Sequence, residues 1–167
     1  KISRQESESL TELRKDLPWI ELRQESKREY PNGSLAAHVV GFVDAEENGA
    51  GGLELGLDLE LQGDPGKAVT VRDLRQRIIE SKVAEDAHAG YNVRLSIDGR
   101  IQYFAEEYLQ QAAVKHGCPS GSVVVLDPHT GNILAMSSYP GYDPNIPPAN
   151  KAELAARLNS AIASPFE

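Results

Sequence analysis

The segment Gly117–Gly121, which reads Gly-Cys-Pro-Ser-Gly, brings a thiol and a hydroxyl together in a turn-forming context. A hydrolase nucleophile elbow has the pattern Gly-x-Ser-x-Gly, in which a strained turn presents the serine hydroxyl. Ser120 comes one position late for that pattern, and a buried or idle thiol is the favoured interpretation of Cys118. A secreted hydrolase built on Ser120 is therefore the weakest reading, and a loop between a helix and a strand is favoured.

Metal chemistry is poorly supported by the acidic and histidine residues. Asp44–Gly49 approaches a calcium-binding loop, but Glu46 occupies its third position and Leu55 its twelfth, where a bidentate glutamate is required. The histidines are too far apart for a zinc set, and His38 lies in an apolar stretch. We predict a solvated acidic turn at Asp44–Gly49, a hydrogen-bonded core or interface histidine at position 38, and no metal or cofactor.

Composition restricts the classes of partner. The 167 residues carry a net charge of −8, which argues against a nucleic-acid surface. One cysteine excludes an intramolecular disulfide, and no apolar run is long enough to span a bilayer.

The first half of the chain alternates short helices with strands. Leu53–Leu61 fits a strand by its alternating leucines and a helix by its four-residue spacing, and the resemblance described below favours the helix. The other expected elements are a helix at Ser3–Asp16, a strand at Trp19–Tyr30, a turn at Pro31–Gly33, a short helix within Leu35–Val40, a strand at Phe42–Val43, a loop at Asp44–Gly52, and strands near Ala68–Arg72 and Ile78–Val83.

The second half begins after a small, polar stretch at Ala84–Gly90. Apolar residues recur on one face of Arg100–His116, Asp98 is positioned as an N-cap, and Gly117 as a left-handed C-terminal cap. We also predict a strand at Tyr91–Ile97, a hairpin of Ser122–Leu126 with Asn132–Ser138, a loop at Tyr139–Asn150 and a helix at Lys151–Ile162. This mixture predicts an α+β fold with mostly antiparallel strands.

Two blocks in the first half carry a family resemblance. The run from Arg28 to Gly41 contains Arg, Tyr-Pro, Gly, Ala-Ala-His and Gly in order, and Gly49–Glu54 is a glycine-rich turn that ends in Gly-Leu-Glu. These blocks resemble the non-catalytic dimerisation module, or pedestal, of class B penicillin-binding proteins.

Three later blocks resemble the start of the transpeptidase (serine β-lactamase-like) domain of the same family. They are Leu95–Asp98 with Ile101-Gln102, the hairpin and Tyr-Asp-Pro-Asn loop within Gly121–Asn145, and Asn159–Glu167. Ser160 stands where the family usually has an arginine. The catalytic signatures Ser-x-x-Lys, Ser-x-Asn and Lys-Thr-Gly occur nowhere in the chain.

The resemblance implies a pedestal over residues 1–88, followed at 89–167 by the opening helix and hairpin of a transpeptidase domain cut before its serine. The parent would form an acyl-enzyme with D-Ala-D-Ala stem peptides, bind penicillin and cross-link peptidoglycan, whereas this chain would be catalytically silent. Implied partners are a SEDS-family glycan polymerase and other cell-wall synthesis proteins. The implied location is the periplasmic face of the membrane, with an N-terminal anchor upstream. A stand-alone scaffolding module without a catalytic domain is the alternative, and self-association through uncovered apolar faces is also expected.

Within the pedestal, we expect Arg28 and Glu54 to form a buried bidentate ion pair that fixes how its elements meet. Unrelated surface charges are the alternative reading. Glycines are assigned conformational roles, and Tyr30 is assigned to anchor the turn. The predicted structural or partner-binding residues are Arg28, Tyr30, Pro31, Gly33, His38, Gly41, Gly52 and Glu54.

Overall fold

The computed structural model describes residues 6, 10, 13, 27–72 and 78–163. Within these ranges the chain has an α+β fold with three two-stranded antiparallel sheets, as the sequence predicted. Residues 6, 10 and 13 are helical, in agreement with the predicted N-terminal helix, whose other residues lie outside the described ranges. Of the predicted strand at Trp19–Tyr30, only 27–30 is described, and it is not a strand. No helix among the described residues is both long and apolar enough to cross a bilayer.

Short elements follow one another closely in residues 27–63. Turns at 31–36 lead into helix α1 (Ala37–Val40), strand β1 (Phe42–Val43), strand β2 (Gly49–Gly51) and helices α2 (Gly52–Gly56) and α3 (Asp58–Gln62). The predicted turn, short helix and β1 are confirmed, and the helical reading of Leu53–Leu61 is confirmed with a break at Leu57. The expectation of an uninterrupted loop at Asp44–Gly52 is wrong, because its glycines pair with β1 as β2.

Gly41 and Gly52 make this compact arrangement possible. Their φ angles are +88° and +56°, a region that L side chains rarely adopt. A Cβ on Gly41 would lie 1.8 Å from the carbonyl oxygen of Gly51, and one on Gly52 would lie 2.7 Å from Gly41 Cα. The two backbones therefore touch where α1 meets α2, which agrees with the conformational role expected of both glycines.

A separate hairpin follows. Strand β3 (Lys67–Arg72) pairs with strand β4 (Ile78–Glu85), at the positions predicted, and a bridge between Asp64 and His88 extends the pair at its base. Val69, Val71 and Val83 are exposed, so within the described residues this two-stranded sheet has little apolar cover.

The second half is built on helix α4 (Gly99–His116) packed against strand β6 (Ile133–Tyr139), which pairs with strand β5 (Gly121–Leu126). The Asp98 carboxylate accepts hydrogen bonds from the Arg100 and Ile101 amides, and Gly117 has φ +66°, so both predicted caps are confirmed. The predicted hairpin is confirmed as well.

One buried side chain joins α4 to β6. Gln102 is 0% exposed; its Nε2 donates to Met136 O at 2.9 Å and to Ser137 Oγ at 3.1 Å, and its Oε1 accepts from Met136 N at 2.9 Å. The amide thereby occupies the edge of β6 as a neighbouring strand would.

Two further expectations need correction. Tyr91–Ile97 is not a strand, because the described residues place no strand beside it; its end is instead held to β6 by the Ser96 hydroxyl and the Asp98 amide. The helix predicted at Lys151–Ile162 is two helices, α5 (Lys151–Ala156) and α6 (Ser160–Ala163). The chain turns between them because the amides of Arg157 and Leu158 bond three residues back.

One face formed by α4 and β5 is apolar and open. Ile101, Phe104, Tyr108, Leu109, Val123 and Val125 line a groove of about 470 Å³ there. Phe104 and Tyr108 are exposed, in agreement with the expectation of uncovered apolar faces.

Candidate functional site

The best-defined polar and aromatic cluster joins residues 28–54 to residues 106 and 142–157; we call it the joint. Its first component is the ion pair between Arg28 and Glu54. Arg28 Nε donates to Glu54 Oε1 at 2.7 Å, and the carboxylate side chain, on α2, is only 5% exposed. The predicted pairing is confirmed, but through one hydrogen bond rather than the bidentate geometry expected. The Arg28 side chain is 45% exposed, however, so the expectation of burial holds for the carboxylate alone, and solvent screens the pair from one side.

Reversing both charges tests what this pair contributes. Glu54→Arg or Arg28→Glu places two like charges next to each other at the partly buried contact. Each variant should therefore lower the free energy of unfolding by about 2 kcal/mol. The double variant should recover at least half of the loss in urea unfolding. The matched control is the Lys67–Glu85 pair, with the same 2.7 Å separation but side chains 72% and 60% exposed, where reversal should cost less than about 1 kcal/mol. A double variant no more stable than the singles would count against the pairing.

Tyr30 lies beside the ion pair and extends the cluster toward the second half. Burial raises the pKa of the Tyr30 phenol, and the Glu54 charge raises it further, while Arg28 opposes the shift. The Tyr30 backbone is bound by one side chain: its amide donates to Asn145 Oδ1 at 3.0 Å, and its carbonyl accepts from Asn145 Nδ2 at 2.9 Å. The Asn145 side chain thus binds the main chain of a residue 115 positions earlier in the sequence. Tyr30 opens the turn over Pro31 and Gly33, whose amide bonds back to the Tyr30 carbonyl.

His38 provides a second connection. It is buried, its Nε2 donates to the Ala156 carbonyl at 3.3 Å, and the Tyr142 ring meets it edge-on with centroids 4.9 Å apart. A carbonyl only accepts, so Nε2 carries the proton. The Tyr142 hydroxyl donates to the Ala37 carbonyl at 2.8 Å, and burial raises the pKa of this phenol to about 12 although the Arg157 charge opposes the shift. The prediction of a hydrogen-bonded core or interface histidine is confirmed.

The His38 environment predicts a loss of stability in acid. Burial lowers the pKa of His38, against the opposing effects of the Ala156 carbonyl and the Glu106 charge. As the pH falls below about 6.5, the unfolded chain binds this proton before the folded chain does. The stability that neutral His38 contributes is therefore complete above that pH, and it is lost as the pH falls toward the folded-state pKa. Urea unfolding of wild type and His38→Gln between pH 7.5 and 5 should show a difference in stability that shrinks in acid. A pH-independent difference would contradict the prediction.

Glu106 connects α4 to the turn before α1. Its Oε1 accepts from the Ala36 amide at 2.8 Å and from Gln102 Nε2 at 2.7 Å. The carboxylate therefore joins Gln102, which is bound to β6, to the backbone of the first half. Ala36 has φ +56°, and this hydrogen bond holds its amide in that uncommon conformation.

Arg157 completes the joint. Its guanidinium carbon lies 4.9 Å from the centroid of the Phe42 ring and 4.7 Å from that of Tyr142, and its Nη2 donates to the Ile146 carbonyl. The residue is 8% exposed. A cation between two aromatic faces, one from each half of the chain, is a favourable cation–π arrangement that excludes water.

The structure brings together Arg28, Tyr30, His38 and Glu54, with Gly41 and Gly52 shaping the backbone behind them. The sequence interpretation gave no role to Glu106, Tyr142, Asn145 or Arg157. Tyr142 and Asn145 lay within a recognised block, which could have signalled their importance, whereas Arg157 had no local signal.

The other candidate sites have local structural roles. Asp44 Oδ1 accepts from the Glu46 and Asn48 amides at 2.9 Å each, and these bonds, that of Asn48 first, lower the pKa of the carboxyl. Asp44 is therefore used to close an exposed turn, as predicted. Cys118 is exposed in the loop after α4. Among the described residues, no three His, Cys, Asp or Glu side chains are grouped to hold a metal ion.

Comparison with known proteins identifies the class. A family model described as the penicillin-binding protein dimerisation domain matches residues 1–95. The chain belongs to this family, which confirms the resemblance of its motifs.

Particular relatives extend the likeness into the second half. The chain is 38% identical over 151 residues to the peptidoglycan D,D-transpeptidase FtsI of Escherichia coli, covering 90% of this chain and 25% of that protein. It is 36% identical over 152 residues to penicillin-binding protein PbpB of Mycolicibacterium smegmatis, covering 90% and 23%. The chain thus spans about a quarter of the length of these curated relatives.

Solved structures agree with the fold. Penicillin-binding protein 3 from Mycobacterium tuberculosis matches with a TM-score of 0.67 and 36% identity, over 89% of this chain and 30% of that one. A structure described as the structural coordination of polymerization and crosslinking by a peptidoglycan synthase complex matches with a TM-score of 0.71 and 27% identity, over 96% and 34%. Both support the predicted α+β class.

Proposed function

We propose that this chain is the pedestal and the first part of the transpeptidase domain of a class B penicillin-binding protein that cross-links peptidoglycan. The division lies at residues 88 and 89. Membership of the dimerisation-domain family and the relatives named as D,D-transpeptidases support this assignment. The observation that carries it is the joint, because Tyr30, Ala37 and Phe42 of the first half contact Asn145, Tyr142 and Arg157 of the second, respectively. Such contacts serve a pedestal that carries a further domain.

The reaction belongs to the complete protein. A serine beyond Glu167 would attack the carbonyl of the penultimate D-Ala of a stem peptide, releasing the terminal D-Ala and leaving an acyl-enzyme. A neighbouring amine would then take the acyl group and regenerate the serine. Penicillin would acylate the same hydroxyl by opening its lactam ring. The present chain contributes the positions of the elements around that serine.

The chain's partners and location follow from the same proposal. A structural relative is described as a peptidoglycan synthase complex that coordinates polymerization with crosslinking. We assign a SEDS-family glycan polymerase and other cell-wall synthesis proteins as partners, and the periplasmic face of the membrane, reached through an upstream anchor, as the location.

Fluorescent penicillin labelling tests the function. The complete gene product should acquire one covalent label, and the 167-residue chain should acquire none because it contains no Ser-x-x-Lys. Pre-incubation with unlabelled penicillin should block the label on the complete protein. Stoichiometric labelling of the short chain would overturn the proposal, and an unlabelled complete protein would instead favour a scaffolding module.

A further inference from the structure

We infer that Arg157 is a positioning residue, through which the pedestal sets the placement of the segment that leads to the nucleophile. The inference rests on the proposed function. It concerns one side chain whose ring contacts belong to the two halves of the molecule, Phe42 in β1 and Tyr142 in the loop after β6.

The burial of Arg157 is the first argument. A guanidinium is an expensive group to bury, and burial is usually compensated by a carboxylate. Here the described contacts of the cation are two aromatic rings and the Ile146 carbonyl. Its Nε atom is buried with no hydrogen-bond partner within the described residues. An apolar residue would leave no unmatched donor here, although the Ile146 carbonyl would lose its partner, so the arrangement favours a role beyond stability alone.

The place of Arg157 along the chain is the second argument. The preceding residue is held by the first half, since the Ala156 carbonyl accepts from His38. The residues that follow are held by β6: Asn159 Oδ1 bonds the Ser138 hydroxyl at 3.2 Å, and the Ser160 amide bonds the same hydroxyl at 3.2 Å. Arg157 therefore lies between a residue that is hydrogen-bonded to the pedestal and residues that are hydrogen-bonded to the β5–β6 hairpin.

The geometry of the turn makes this point sensitive. α5 ends at Ala156 and α6 begins at Ser160, so only residues 157–159 set the angle between them. Because Phe42 and Tyr142 both contact the guanidinium, a shift of Phe42 would displace the Arg157 side chain and, through this short turn, the start of α6. Displacement of a reacting group by about 1 Å can slow a reaction by about a hundredfold. In the complete protein, a movement of β1 that displaced α6 by this amount would therefore change the acylation rate.

The test uses the complete protein and separates positioning from folding. Acylation by fluorescent penicillin is followed by stopped flow at 20 °C, which gives the acylation rate constant and the dissociation constant of the initial complex. Near-UV circular dichroism at the same temperature is used to check that each variant is folded. Arg157→Gln should lower the rate constant about tenfold or more and leave the dissociation constant within about twofold. Arg157→Lys keeps a cation between the rings and should recover most of the rate.

Two further variants complete the design. Phe42→Leu removes one ring from the first half and should also reduce the rate constant. Arg94→Gln, at an exposed arginine outside the joint, should leave it unchanged. Wild-type acylation by folded Arg157→Gln, or an equal loss in the lysine and glutamine variants, would overturn the inference alone. A complete wild-type protein that is never acylated would overturn the proposed function first.

Discussion

Replacement of Gly41 by alanine is expected to lower the free energy of unfolding by roughly 3 kcal/mol or more, and so to unfold much of the chain at 37 °C. Two costs add. The backbone is held at φ +88°, which is worth on the order of 1–3 kcal/mol of strain for a residue with a Cβ. The added carbon would also lie 1.8 Å from the Gly51 carbonyl oxygen. Because that obstacle is main chain, no change of rotamer relieves it, and β1 must separate from β2.

Gly131→Ala provides the matched control for this variant. Gly131 also has a positive φ, +74°, but a Cβ there would meet nothing within 4 Å. Its replacement should cost only the conformational part, roughly 1–2 kcal/mol. Thermal and urea unfolding, followed by circular dichroism, give both values. Equal losses in the two variants would contradict the close contact between Gly41 and Gly51.

Gln102→Leu is expected to have the second large effect, a loss of roughly 2–5 kcal/mol. The side chain is fully buried, and leucine fills similar space but cannot bond the Met136 amide and carbonyl. Each buried backbone group left without a partner costs about 1–3 kcal/mol. Glu106 also loses a donor, which weakens its hold on the Ala36 amide. Hydrogen exchange should show faster exchange at Met136 than at the paired amides of β5.

Gln111→Leu is the control on the same helix. Within the described residues, the Gln111 side chain bonds the Glu107 carboxylate alone, at 3.2 Å on the exposed face, so its replacement should change stability by less than about 0.5 kcal/mol. A Gln102→Leu variant as stable as this control would mean that the amide does not close the edge of β6.

Elements determined by local chemistry were predictable from the sequence. The limits of α4 follow from the apolar spacing between Asp98 and Gly117, since the cap residues act on neighbouring amides and carbonyls. The β5–β6 hairpin follows from the turn residues between its strands. Tyr91–Ile97 has the alternation of a strand, but pairing requires a neighbour, and alternation alone does not supply one. β2 is composed of small residues that signal a loop, and it becomes a strand only because β1 lies beside it.

The joint was predictable only in part, because some of its residues carry local signals and others depend on distant neighbours. The Arg28–Glu54 pair was anticipated from family motifs, and His38 from its apolar context. Arg157 was assigned to the interior of a helix, where an arginine is usually solvated. Its actual surroundings are supplied by Phe42, more than a hundred residues earlier, and by Tyr142. No local pattern encodes a contact of that kind.

The sequence separation of the joint has a consequence for the order of folding. Three of its hydrogen bonds connect residues 105 to 118 positions apart: Tyr142 to Ala37, Asn145 to Tyr30, and His38 to Ala156. During synthesis at about 5–20 residues per second, the interval between Tyr30 and Asn145 lasts on the order of ten seconds. Throughout it, the aromatic and histidine faces of the first half lack their partners. The groups of the first half that form these bonds are therefore synthesised several seconds before their partners, and the joint closes only after most of the second half has been made.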